Sequence, residues 1–126
     1  MRIAPLALAA SLLALPAAAQ DWPADKVNCV AAYGALANEA ASTVAWNPRL
    51  GGATNLTTIN WADRRVKLLA GAAATETASR VFEDNFRQML RKDRIDNVMK
   101  GTGVVIELSM RCDQAFGYSP SFVIPG

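Results

Sequence analysis

Val104-Val105-Ile106-Glu107-Leu108-Ser109-Met110 is the stretch on which the fold turns, because its β-branched residues and partial alternation suit a strand as well as a helix. Glu107 tips the reading. On a helix from about Asp93 to Phe116, Val98, Thr102, Val105, Ser109, Cys112 and Phe116 share one side, at steps of four and three. Lys100, Glu107, Arg111 and Gln114 fall on the opposite face, where Glu107 can pair with Arg111 four residues on. The helical reading accounts for the polar residues better, and the strand stays open as the alternative. Gly101 and Gly103 oppose a helix by up to about 1 kcal/mol each, so it bends there or begins afresh at Thr102. Gly117, followed by Pro120, ends it.

Working back towards the N-terminus, helical periodicity continues. Thr75 is the expected cap of a helix that buries Ala78, Val81, Phe82, Phe86, Met89 and Leu90. Glu76 with Arg80, and Glu83 with Arg87, are the expected pairs on its outside, and Arg91-Lys92-Asp93-Arg94 interrupts its stripe. Before it, a helix starting between Thr57 and Asn60 carries Ile59, Ala62, Val66, Leu69 and Ala73 inward, with Arg64, Arg65 and Lys67 off the stripe. Gly71 and the alanines near residue 74 leave open whether 57–92 is one helix or two. The first helix, from about Ala24 to Ala45, places Val27, Val30, Gly34, Ala37, Ala41 and Val44 on one face and Asn28, Asn38, Glu39 and Ser42 on a polar edge. Asp21 is its expected cap, with Pro23 in its first turn, and Trp46-Asn47-Pro48 ends it. Residues 47–56 read as a loop around Gly51-Gly52.

Four helices with short joints predict an all-α, up-down-up-down four-helix bundle. Ahead of it, Met1-Arg2, the apolar run Ile3 to Leu15 and Ala17-Ala18-Ala19 have the layout of a secretory signal peptide. That reading divides the chain into a signal peptide, 1–19, and one helical domain, 20–126, with an apolar tail from Gly117 to Gly126. A periplasmic or secreted protein follows, with no transmembrane anchor after cleavage, since the apolar run is shorter than the roughly 20 residues a span needs. In an oxidising compartment Cys29 and Cys112, neither in a CxxC pattern, are expected to form a structural disulfide. In an up-down bundle that bond clasps the start of the first helix to the end of the last. On the chain-entropy account so long a closure is worth about 4–5 kcal/mol.

The function classes narrow by exclusion. The chain has 126 residues, 13 Lys plus Arg, 11 Asp plus Glu and no His. It therefore lacks the commonest general base and metal ligand, and its near-neutral balance gives no electrostatic case for nucleic acid. There is no GxSxG, no phosphate-binding loop with its lysine, and no cofactor or metal motif. The acidic pairs Glu83-Asp84 and Asp93/Asp96 have basic neighbours at helical spacing and read as solvated salt bridges. An enzyme is the least supported class, and Glu107 buried in a cleft away from Arg111 would reopen it.

A non-enzymatic module that binds another exported protein accounts best for what remains. Trp46, Arg49, Leu50 and Trp61, in and beside the first connector, carry the residue types enriched at binding hot spots. Arg87, Arg91 and Arg94 recur at steps of four and three, so one face can offer three guanidinium groups to an anionic partner. The alternative is a carrier of a small apolar ligand or lipid between the helices, lined by Phe82, Phe86, Met89 and Met99. A persistent cavity favours it.

Overall fold

A computed structural model describes residues 22–46 and 51–119, and the side chains of 22–42 and 57–119. Among the described residues there are four helices: α1 (Lys26–Trp46), α2 (Gly51–Leu69), α3 (Ala73–Asp96) and α4 (Lys100–Ala115). The 104–110 stretch lies inside α4, so the strand alternative falls, and residues 57–92 divide into two helices at Ala70–Ala72, with Gly71 at φ +72°. Cys29 and Cys112 are disulfide-bonded, Cα to Cα 5.7 Å, and both are fully buried.

Helix α1 is the hub, packing against all three of the others and most extensively against α2 and α3. Residues 28–37 are buried all the way round, as expected of a helix that is apolar or small on nearly every face. The expected polar edge is split: Asn28 and Glu39 are buried, while Asn38 and Ser42 face water. Asp25 rather than Asp21 caps it, its carboxylate accepting the Asn28 N–H at 2.9 Å, while the Asn28 amide donates to the Pro23 carbonyl at 3.0 Å. Asp21 lies outside the described residues, and Pro23 precedes the helix.

The expected stripe on α2 mostly faces water, Leu69 alone of its α2 members packing against the core. Ile59 and Val66 are 61% and 64% exposed, Ala62 also faces water, and the inward face is Trp61, Arg64, Arg65 and Leu68. Two arginines turn inward because the carboxylates they match lie there. Arg64 donates to Asp113 of α4 at 2.7 Å and Arg65 to Glu83 of α3 at 3.1 Å. The helix also starts earlier than expected, at Gly51, so most of the expected 47–56 loop is helical. Intrinsic glycine cost, about 1 kcal/mol per residue, is too weak a prior to fix a boundary against tertiary context.

In α3 the inward face is Ser79, Glu83, Phe86, Leu90 and Asp93, while Val81 and Ala78, expected inside, are exposed. The Glu83–Arg87 pair is replaced by bonds across helices: Glu83 accepts from Asn38 at 2.9 Å as well as from Arg65. Glu76–Arg80, at 3.4 Å on the surface, is present as expected. The helix has no side-chain cap, Thr75 lying inside its first turn, and it runs through the 91–94 interruption to Asp96. There Asn97 takes the left-handed conformation and the Val98 N–H returns to the Asp93 carbonyl.

Helix α4 buries Val105, Leu108, Ser109 and Cys112, which keeps the middle of the expected stripe, whereas its ends, Val98 and Phe116, are exposed. Gly117, at φ +72°, terminates it, and the Tyr118 N–H closes back on the Asp113 carbonyl at 2.8 Å. Trp22, just before α1, meets Phe82 and Phe86 edge-on, with ring centroids 5.2 and 4.8 Å apart. Its carbonyl accepts from Arg111, which also forms the expected pair with Glu107 at 2.7 Å.

Candidate functional site

Helices α2 and α4 both lean on α1 with their backbones apart. No described Cα of one comes within 8 Å of the other. Near the base of this seam Arg64 bridges the two, bonding Asp113 and the Ser119 carbonyl and lying 5.3 Å over the Tyr118 ring. Tyr33 of α1 donates its hydroxyl to the same Asp113 oxygen at 2.6 Å. Burial, and then the hydrogen bond to the carboxylate, hold the Tyr33 hydroxyl in its protonated form well above the usual phenol range.

Elsewhere along the seam is a cleft of about 400 Å³. Leu36 and Ala40 of α1, Trp61 of α2, Leu90 of α3 and Ile106 of α4 supply its apolar wall. Trp61 and Leu90 are buried, whereas Met99, on the turn between α3 and α4, is 65% exposed at the rim beside Val98. Asp93 closes one side. Its carboxylate accepts the Thr102 N–H, capping α4 from the neighbouring helix in place of a cap of its own.

Charge gathers on the same cleft. Glu39 and Arg94 line it, and three arginines of α3 converge on the buried Glu39: Arg87 and Arg91 bond its carboxylate through Nε at 2.9 Å each, and Arg94 approaches to 3.7 Å. Spacing of four and three puts the arginines on one face, and a single acid on the facing helix gathers them. Arg87 is mostly covered, while the Arg91 and Arg94 side chains are 48% and 52% exposed. Such a site can hold an apolar group against Trp61 and present guanidinium donors to an anion beside it.

Of the residues singled out in the sequence, Trp61, Arg87, Arg91 and Arg94 are brought together here. Arg49 and Leu50 lie outside the described residues, as does the side chain of Trp46. Glu107 is on the surface, bonded to Arg111. The two acidic pairs are corrected in part: Glu83 and Asp93 are buried, while Asp84 and Asp96 face water, with Asp96 on Lys92 at 3.1 Å. Among the described residues no cluster of three potential ligands could hold a metal ion, and no helix is long and apolar enough to cross a membrane.

Sequence reading missed Glu39 as the organiser of the site. A signal was present: Glu39 is the sole charged residue between Lys26 and Arg49, and a lone acid in an Ala-rich helix needs a counter-charge from elsewhere. Arg64 and Arg65 were missed because they sit off the apolar stripe. Compared with protein families, curated proteins and solved structures, this chain matches none.

Proposed function

We propose that this protein is a small exported helical module, non-enzymatic, that works by contact with another exported protein. The N-terminal signal-like segment and the buried disulfide both support a periplasmic or secreted location. The connectivity is read as up-down-up-down, since from Val27 to Glu39 α1 meets later residues of α3 and from Cys29 to Leu36 it meets earlier ones of α4. Ser79 on Val27 and Arg87 on Glu39 mark the first trend. Cys112 on Cys29 and Ile106 beside Leu36 mark the second.

The observation that carries the functional reading is the seam cleft, apolar within, rimmed by exposed Val98 and Met99 and lined on one side by Arg94. This combination of a buried aromatic, exposed apolar rim and arginine matches the make-up of protein-binding hot spots. Carboxylates that could act as acid or base are instead engaged by arginine or backbone N–H, which supports binding over catalysis. A small apolar ligand is the second reading, favoured by the volume of the cleft, which falls at the lower end of the roughly 300–1,000 Å³ of ligand pockets.

Native mass spectrometry of the protein released gently from its own compartment tests both. A second protein at fixed stoichiometry, lost in Met99→Asp, supports the module. A small added mass shed on activation supports the carrier, and a bare monomer that Met99→Asp leaves unchanged refutes both.

A further inference from the structure

Helix α2 turns a regular apolar face to water. Ile59 and Val66 are each more than half exposed, and Ala62 between them faces solvent too. Ala70 extends the face, its N–H donating to the Lys67 carbonyl at 3.4 Å so that the chain keeps turning one residue past the helix end. Scattered exposed aliphatics need no explanation, but a run at steps of three, four and four along one helix marks an interaction surface. It lies on the opposite side of α2 from the buried Trp61 and Leu68, and so apart from the seam cleft that Trp61 lines. Asp63 and Lys67, paired at 2.8 Å, form one flank of it. With one charge of each sign, that flank draws neither a charged lipid surface nor a strongly acidic or basic segment.

We infer that this face docks on the same face of a second copy of the chain, the two α2 helices antiparallel about a two-fold axis at the level of Arg64 and Arg65. The order of residues along the face is its own complement when reversed. Ile59 and Ala70 lie equally far from that level on either side, so each Ile59 meets the other copy's Ala70, and each Val66 comes within about 1.5 Å of rise of the other copy's Ala62. A large side chain therefore faces a small one at every step, as close packing of two helices requires. In an antiparallel pair the same flank of both helices adjoins, which brings Asp63 of each copy beside Lys67 of the other. Such a contact uses one patch twice, and every pairing made in one direction is repeated in the other. From Ile59 to Ala70 the face is about 16 Å long, and two helices touching over that length bury less than the roughly 1,200–2,000 Å² of a standard stable interface. The dimer therefore dissociates on dilution, with half-association expected between roughly 10 µM and 1 mM.

Sedimentation equilibrium of the purified protein at low salt, from about 10 µM to about 1 mM, measures the association. Val66→Asp, at an exposed position, is expected to keep the helical circular dichroism and the melting temperature while weakening association at least about tenfold. Two charge variants test the register. Lys67→Asp leaves acids at both flank positions and Asp63→Lys leaves bases at both, so each alone is expected to associate about tenfold more weakly than the unaltered protein. Their equimolar mixture is expected to associate more tightly than either, as a one-to-one pair, because every cross-copy contact is then between opposite charges; a parallel pair would hold these flanks apart. A chain still monomeric at about 1 mM, a dimer that Val66→Asp leaves as tight, or charge variants whose mixture is no tighter than its components would each overturn the inference. Met99→Asp, at the rim of the seam cleft, is expected to leave the dimer unchanged, and dissociation by that variant would place the contact at the cleft and overturn it as well.

Discussion

Replacing Gly34 with alanine sets two effects of opposite sign against each other. Gly34 sits mid-helix in α1, where alanine is worth about 0.8–1.0 kcal/mol over glycine from helix propensity alone. A Cβ there, however, would overlap the Glu83 carboxylate and stand 2.6 Å from the Arg65 Nε. Those atoms are the ends of flexible side chains, so the backbone need not move; the ion pair between them, 3.1 Å long, must give way instead. A hydrogen bond to a charged group contributes about 1.5–3 kcal/mol, so losing one leaves Gly34→Ala a net loss of roughly 0.5–2 kcal/mol. At roughly 4–8 °C per kcal/mol for a domain of this size, the melting temperature falls by about 2–16 °C. Urea and thermal denaturation measure it. In a Glu83→Ala background, where pair and overlap are both gone, the same change is expected to stabilise by up to about 1 kcal/mol. Stabilisation in both backgrounds would show that Glu83 and Arg65 do not meet over Gly34.

The disulfide closes a separation of 83 residues, for which chain entropy gives about 4.6 kcal/mol. Cys29→Ala with Cys112→Ala should lower the urea midpoint accordingly, and a loss under about 1 kcal/mol would deny the bond its role. Asp113→Ala leaves Arg64 and the Tyr33 hydroxyl without their shared acceptor and should cost about 3–5 kcal/mol. Glu107→Ala, on the surface, should cost less than about 1 kcal/mol, and similar losses from the two by chemical denaturation would contradict the burial of Asp113. Tyr33 keeps its proton in the folded state above its ordinary value of 10.0, so the unfolded chain loses a proton first and stability falls as pH rises past that value. The slope is about 1.4 kcal/mol per pH unit and should be absent in Tyr33→Phe; melting curves from neutral to strongly alkaline pH compare the two.

How much of this was legible follows from where the partners lie in sequence. Helix α4 was readable because its stripe, its Glu107–Arg111 pair and its Gly117 stop are all local, and the cysteine pair because a chain with two thiols offers one partner for each. The Ala-rich face of α1 was equally clear. What failed were positions whose local preference lost to a distant group. Glu83 had Arg87 four residues away, yet Arg65 and Asn38 won it, and Arg87 went to Glu39. Ile59 and Val66 followed the periodic rule and still face water, since α2 is oriented by what Arg64 and Arg65 reach. An inward arginine has no sequence signal of its own; it becomes visible when the lone acid opposite is known. The candidate site was half visible, as a tryptophan and an arginine stripe, while the carboxylate that joins them was assigned to a polar edge.

Ion pairs buried between these helices have a consequence for uniqueness. Ala31, Ala32, Ala35 and Ala37 give α1 a smooth surface that lets neighbours approach closely but distinguishes poorly between one placement and another shifted by a turn. Directional bonds supply the address that such a surface lacks: Arg64 fits only where Asp113 and Tyr33 coincide, and Arg87 only opposite Glu39. Apolar replacement of the whole Tyr33–Arg64–Asp113 trio, by phenylalanine, methionine and leucine, would therefore preserve or raise melting temperature while broadening the resonances of α2. On this account the charges inside the protein act less as glue than as a register mark that makes one packing out of several the native one.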